Sequence, residues 1–386
     1  MRVAIVFARD AYFPVFPVPS MTDIPTLQQA WSEQPQSATA CIAWAQALSR
    51  STRENEAIEV LCQGLQNHPG NRKMTLLLAR SLRNCGRYQQ AHSLLAPLVP
   101  GAPQDIDLLK LWATLLQTQG RLSEALATLK QVLQLLCQRT AMAPPTAQPV
   151  QRSCTEQDLA TLWKTLAQLA ADGVHAFATA GTLLGLVREG RLLPGDKDID
   201  IGLPWPELPA AIHSVQKHGW RELDCSNGLS NPRSFVYPDS GLTLDLCAFA
   251  EDGVKGGCVG GFWMPGIPPH WNRLTDYPLM QLQLSDSPAG RVWTLRAPEV
   301  WLASLYGEHW RQPDPGFDSS ICAHNLRGFS ELTQCYALLR IADAWHIGQL
   351  DKALRATRAS LAQHPDNDLL KVVAKCLQEQ QASVQP

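Results

Sequence analysis

The chain lacks most features that would sort it at a glance. Its 11 cysteines, at 41, 62, 85, 137, 154, 225, 247, 258, 322, 335 and 376, include no CxxC pair. An odd count at wide spacing excludes a disulfide scaffold and argues against structural zinc, so reduced thiols, most of them small core residues, are expected. No apolar run approaches the ~20 residues that cross a bilayer. The opening MRVAIVFARD is interrupted by Arg9 and Asp10, and prolines follow at 14, 17, 19 and 25, so residues 1–37 read as a lead-in rather than a signal peptide. A cytoplasmic protein without a membrane span is the expectation. Charge of neither sign is in excess: 33 basic against 35 acidic residues leave −2, and no global field gathers nucleic acid or anionic lipid. Also missing are GxxxxGK[ST], HExxH, GxSxG and a full GxGxxG, so P-loop, zincin, serine-hydrolase and dinucleotide-binding readings lack support. What is there is a globular chain of 386 residues, 45% hydrophobic and 18% charged, long enough for two or three folding units.

Residues 38–139 realign on themselves with a shift of 34. Trp44, Leu78 and Trp112 fall in register, as do Ala45, Ala79 and Ala113, then Leu48, Leu82 and Leu116. Ala57, Ala91 and Ala125 make a further column, and Leu61, Leu95 and Leu129 another. Small alanines where two helices approach, with glycine turns at 86 and 120 and prolines at 69 and 103, resemble three tetratricopeptide repeats. Such arrays offer a concave face, so a protein partner is a possible ligand. NHPGN at 67–71 returns in form as QHPDN at 363–367, which predicts a C-terminal helical hairpin of repeat type within 329–386. Residues 140–154 are Pro/Ala-rich and read as a linker.

From residue 155 to 328 the texture is mixed α/β. Thr155 and Asp158 cap an amphipathic helix, a short strand is predicted over 174–178, Gly181-Thr182 reads as a turn before a helix, and strand-like runs follow. In Asp198-Ile199-Asp200-Ile201 the side chains alternate, so both carboxylates share one face about 6.7 Å apart while both isoleucines enter the core. The strand Leu242–Leu246 turns Asp245 away from its leucines, where it can join the pair if the strands are neighbours. Three carboxylates suit Mg2+ or Mn2+ bridging to substrate phosphates, so Asp198, Asp200 and Asp245 are the candidate metal ligands and catalytic residues. Asp196 shares their face but precedes the secure strand. Gly181 lets a phosphate approach the N–H groups of the helix start, Thr182 adds a hydroxyl, and Arg188, with Arg191 behind it, can neutralise phosphate charge. His175, in an apolar segment, reads as a satisfied core histidine. Trp263, Trp271 and Trp293 read as packing around a Gly/Pro-rich segment, and 253–269 as a long loop suited to substrate selection.

The run GTLLGLVREGRLLPGDKDIDIGL, with LDLCAFAEDG at 244–253 and the stretch from Arg296-Ala297-Pro298 to LYGEHWRQP at 305–313, resembles the LicD/fukutin family of nucleotidyltransferase-fold phosphotransferases over roughly 160–320. Gly195 stands where a tryptophan is common in that family. The resemblance implies transfer of a phospho-alcohol, of phosphocholine or alditol phosphate type, from a CDP-activated donor to a sugar hydroxyl of a cell-surface glycan. It implies Asp198 and Asp200 as holders of the divalent ion and Asp245 as third ligand or as base for the acceptor hydroxyl. A nucleotidylyltransferase using CTP or another NTP would keep the same carboxylates, and a non-catalytic tetratricopeptide scaffold would need none of them. The expected architecture is therefore multidomain: helical repeats, a central nucleotidyltransferase-like α/β domain and C-terminal helices.

Overall fold

The computed structural model describes residues 23–51, 53–139, 154–223, 227–314 and 316–384. The lead-in up to residue 22, nearly all of the linker and Cys225 lie outside the described residues. The described chain falls into two compact units, one of 23–139 with 338–354 and 371–384, the other of 154–337 with 355–370.

The first unit begins with α1 (Asp23–Glu33) and continues as three helix pairs: α2 (Ala38–Arg50) with α3 (Glu54–Asn67), α4 (Arg72–Asn84) with α5 (Tyr88–Leu95), and α6 (Ile106–Thr118) with α7 (Leu122–Cys137). Each pair opens on a capping side chain: Ser37, Asn71 and Asp105 accept from the N–H groups of Ala40, Met74 and Leu108. These caps also recur every 34 residues, each satisfying a donor that the first helical turn would leave unpaired. Ala57, Ala91 and Ala125 are fully buried, as their place between paired helices requires. Gly86 and Gly120 turn the chain at φ +68° and +74°, a conformation in which a Cβ is disfavoured.

The C-terminal region is three helices rather than one hairpin: α8 (Glu331–His346), α9 (Leu350–Gln363) and α10 (Asp368–Val384). The motif QHPDN forms the turn between the last two, and the helix before them is the element the hairpin expectation left out. The second half of α8 joins the first unit. There Lys110 Nζ of α6 meets Asp343 Oδ1 at 2.6 Å, both side chains buried, and His346 Nε2 lies 3.1 Å from Asp107 Oδ1.

The second unit is built on a mixed sheet. Its helices are α11 (Glu156–Ala171), α12 (Ala180–Glu189), α13 (Leu208–Lys217), α14 (Pro298–Tyr306) and the short α15 (Ser319–Cys322). Its strands are β1 (Phe177–Ala178), β2 (Asp198–Pro204), β3 (Arg221–Glu222), β4 (Arg233–Val236), β5 (Thr243–Asp252), β6 (Gly257–Phe262) and β7 (Arg273–Tyr277), with a separate hairpin of β8 (Leu282–Ser287) and β9 (Gly290–Leu295). The sheet runs β1-β2-β5-β4-β3, with β2 and β5 parallel and the other pairs antiparallel, and the far end of β5 carries β6 and then β7. Alternation sets the two faces. Ile199, Ile201, Leu203, Leu244, Leu246 and Ala248 pack on α11 and α13, while Phe177 and Phe249 on the opposite face pack with α12 and α14. Thr155 and Asp158 form a reciprocal capping box at the start of α11.

Three local expectations need correction. Gly181 and Thr182 do not form a turn: α12 starts at Ala180 with Thr179 as its cap, so both lie in the first helical turn. The segment 253–269 is not one long loop, because Gly257–Phe262 pairs as β6 with both β5 and β7. Of the described cysteines only Cys41, Cys258 and Cys335 are buried, so most are not core residues, and none of the described ones is in a disulfide.

Candidate functional site

The carboxylates come from a parallel strand pair. In β2 and β5, Asp198 registers with Thr243 and Asp200 with Asp245, which brings Asp200 and Asp245 side by side on the α12–α14 face of the sheet. Across β5, Ser234 of β4 registers with Asp245, and its hydroxyl donates to Asp245 Oδ1 at 2.5 Å. The start of α12 is tied to the same point. The Asp200 N–H donates to Thr182 Oγ1 at 2.8 Å, the Thr179 N–H donates to the Asp200 carbonyl at 3.1 Å, and the Gly181 backbone hydrogen-bonds the Asp200 carboxylate. Thr182 is thus fully buried and holds the aspartate strand; the side chain does not line the cleft.

Gly181 is also a close-approach position, since a Cβ there would stand 3.2 Å from Asp196 Oδ2. Its neighbour Ala180 adopts φ +46°, a strained conformation for a residue with a side chain, and such strain concentrates where a site over-determines the backbone. Asp196, a weaker candidate than the three strand aspartates in the sequence, is buried against this turn. Burial, with repulsion from Asp198 behind it, pushes its carboxyl up to about 8 against the opposing pull of Arg188. Asp200 is raised well above the ordinary carboxylate range, first by burial and then by Asp198, Asp245 and Asp196. Asp196 Oδ2 and Asp200 Oδ1 are buried without a hydrogen-bond partner.

Arg188, in the last turn of α12, is mostly covered, donates to Glu189 Oε1 at 3.1 Å and acts electrostatically on Asp196. Arg191 is exposed and also donates to Glu189, so the structure does not bring it to the carboxylates. His175 is not a core residue: its ring is half-exposed, meets Glu207 Oε1 at 2.7 Å and lies on Trp293 at 4.6 Å. Trp263 packs edge-on to Trp205, and Trp271 lies on His270. None of His175, Trp263, Trp271 or Trp293 lines the cleft.

That cleft opens between β5, β6, β7 and α14 and is lined by Asp200, Asp245, Ser234, Cys247, Phe262 and Arg273 among others. Sequence reasoning passed over Arg273, Cys247 and Tyr306. Burial and then Asp200 and Asp245 raise the Cys247 thiol, which disfavours it as a nucleophile. The Tyr306 hydroxyl is buried without a partner, and burial together with Asp200 and Asp196 holds it protonated. Its place in the run LYGEHW was the available signal; Arg273 carried none.

A divalent ion fits this donor set in its chemistry: hard oxygens, clustered negative charge and unpartnered carboxylate atoms. Among the described residues no three acidic, His or Cys side chains already converge as a metal-holding group, so binding would require the carboxylates to close on the ion.

A strand-borne pair of aspartates thus stands beside a helix start on a mixed sheet with helices on both faces. The model of the LicD/FKTN/FKRP nucleotidyltransferase domain matches residues 173–235, and that of the tetratricopeptide repeat matches 50–115. The chain thus carries a segment similar to the LicD/FKTN/FKRP nucleotidyltransferase domain after a segment similar to tetratricopeptide repeats. The LicD match takes in Gly181, Thr182, Arg188, Asp196, Asp198 and Asp200, while Asp245 lies beyond it. No curated protein matches the chain. Among solved structures, the solution structure of the antibiotic-resistance factor ANT(2″)-Ia aligns with 60% of this chain and 97% of its own at 11% identity, with a TM-score of 0.24.

Proposed function

We propose that the central domain is a Mg2+- or Mn2+-dependent phosphotransferase acting in the cytoplasm. It moves a phospho-alcohol, of phosphocholine or alditol phosphate type, from a CDP-activated donor to a sugar hydroxyl of a cell-surface glycan. The observation that carries this reading is the in-register pair Asp200–Asp245 at the wall of a cleft, with Asp200 inside the segment that matches the LicD model. Asp198, Asp200 and Asp245 would hold the ion, which would neutralise phosphate charge and polarise the group being transferred. Asp245, next to the Ser234 hydroxyl, is also the candidate base for the acceptor. Gly181 and Thr182 set the position of Asp200, and Arg188 balances charge at Asp196. Phosphoryl transfer asks mainly for positioning and charge neutralisation, so no covalent nucleophile is needed. The repeats would bind a protein partner, as such arrays do.

The test is calorimetric titration of CDP-choline, CDP-glycerol, CDP-ribitol, CTP and ATP, with and without Mn2+, into wild type and the Asp198→Ala/Asp200→Ala variant. Metal-dependent binding of one CDP-alcohol, lost in the variant, is expected. Preference for a bare triphosphate would replace the reading with nucleotidyl transfer, and no nucleotide binding by a folded wild type would leave a scaffold.

A further inference from the structure

We propose that Arg273 is the anion-binding residue of the cleft and takes a phosphate oxygen of the substrate. Arg273 is only 4% exposed, yet it lines the cleft that Asp200 and Asp245 also line. Nε donates to the Ser320 carbonyl at 2.8 Å, Nη2 donates to the Ser319 carbonyl, and the guanidinium carbon stands 4.6 Å from the Phe262 ring centroid. Two carbonyls and one ring fix the plane of the fork and account for Nε and Nη2, while the residue lines the cleft. These contacts satisfy N–H groups without neutralising the charge. Asp318 and the phenols of Tyr277 and Tyr336 act on it only at longer electrostatic range, and the Asp318 carboxylate caps α15 by accepting from Ser320 N.

A buried cation without a paired carboxylate is costly, and such groups persist where an anion completes them. A planar fork held in one orientation suits a phosphate, whose oxygens accept charge-assisted hydrogen bonds. A second donor stands beside it: the Ser319 hydroxyl, buried and without a partner, lines the same cleft. The substrate would therefore be held between a carboxylate wall, which needs a cation, and a cationic wall, which needs an anion. For the identity of the donor this inference rests on the phosphotransfer reading; for the binding of phosphate it does not.

The experiment titrates inorganic pyrophosphate and CDP-choline, each with Mn2+, into the full chain as wild type, Arg273→Gln, Arg273→Lys and Ser319→Ala, with thermal melting as a control for folding. The expected result is about tenfold weaker pyrophosphate binding in Arg273→Gln, with a smaller loss in Arg273→Lys and Ser319→Ala, at unchanged melting. Pyrophosphate binding that depends on Arg273 without any binding of CDP-choline would support the inference and count against the CDP-alcohol donor. Equal binding by wild type and Arg273→Gln would overturn the inference and leave the donor reading intact, and so would a role for Arg273 confined to tying residues 319–320 to β7. A wild type that binds no phosphate also overturns it. Should the Arg273 variants fail to fold, Ser319→Ala decides: unchanged pyrophosphate affinity overturns the inference.

Discussion

At the scale of single residues the site is governed by burial of like charges. Asp196 titrates near 8 in the fold against about 3.9 in an unfolded chain, with burial the larger cause and Asp198 the next. A carboxyl raised in this way contributes stability while protonated, in full below its unfolded value, and the contribution is lost as pH rises through its folded value. Asp200 acts in the same direction. The metal-free chain should therefore melt at progressively lower temperature as pH is raised from about 5 to about 8, and Asp196→Asn should flatten that decline. Thermal melts across this range, with a chelator present, check it; a melting temperature that rises over the same interval would count against the buried cluster. The pair Asp198 and Asp200 was legible in the sequence because strand alternation is a local rule. Asp196 and Tyr306 left only partial signals, a shared strand face and a place in the LYGEHW run, because their weight comes from burial against Gly181 and the aspartates, which no spacing encodes.

At the scale of elements the repeats are the most legible part. Five columns of the 34-residue period place Ala91 at the closest approach of paired helices, and it is fully buried in α5. Ala91→Leu should overpack that contact and cost about 1–3 kcal/mol, read as a lower midpoint in urea with an unchanged slope. An effect within a few tenths of a kcal/mol would mean that the helices do not meet there. The caps Ser37, Asn71 and Asp105 obey the same period, a regularity that the apolar columns alone did not expose. In the α/β unit, alternation in β2 and β5 told which face of each strand is buried. It could not tell that the two run parallel and adjacent, because a strand's pattern names a face and not a neighbour. The supposed loop at 253–269 failed for a related reason. Its glycines read as breaks, yet they serve pairing: a Cβ at Gly257 or Gly261 would collide with the backbone of β7.

At the scale of the whole chain, the unit that holds the repeats also takes in part of α8, far away in sequence. Lys110 and Asp343 form a buried ion pair within that unit. Removing one partner leaves the other charge buried, so Asp343→Ala should destabilise the unit by about 3–5 kcal/mol, whereas Lys110→Met with Asp343→Leu should come close to neutral. Denaturation of the two variants side by side checks this, and equal losses in both would show that the pair is not desolvated. The same contact sets the second half of α8, the helix that repeat similarity did not foresee, against α6.

The amino-acid sequence by itself determined the helical repeats, the mixed α/β character of the central region and the shared face of Asp198 and Asp200. Each depends on periodicity, caps and turns, which act over a few residues. Only the tertiary structure decided that Asp245 stands beside Asp200, that Asp196 joins them, that Arg273 lines the same cleft and that α8 returns to α6. These are pairings between distant segments, set by which surfaces exclude water together, and a linear pattern holds the surfaces without their partners.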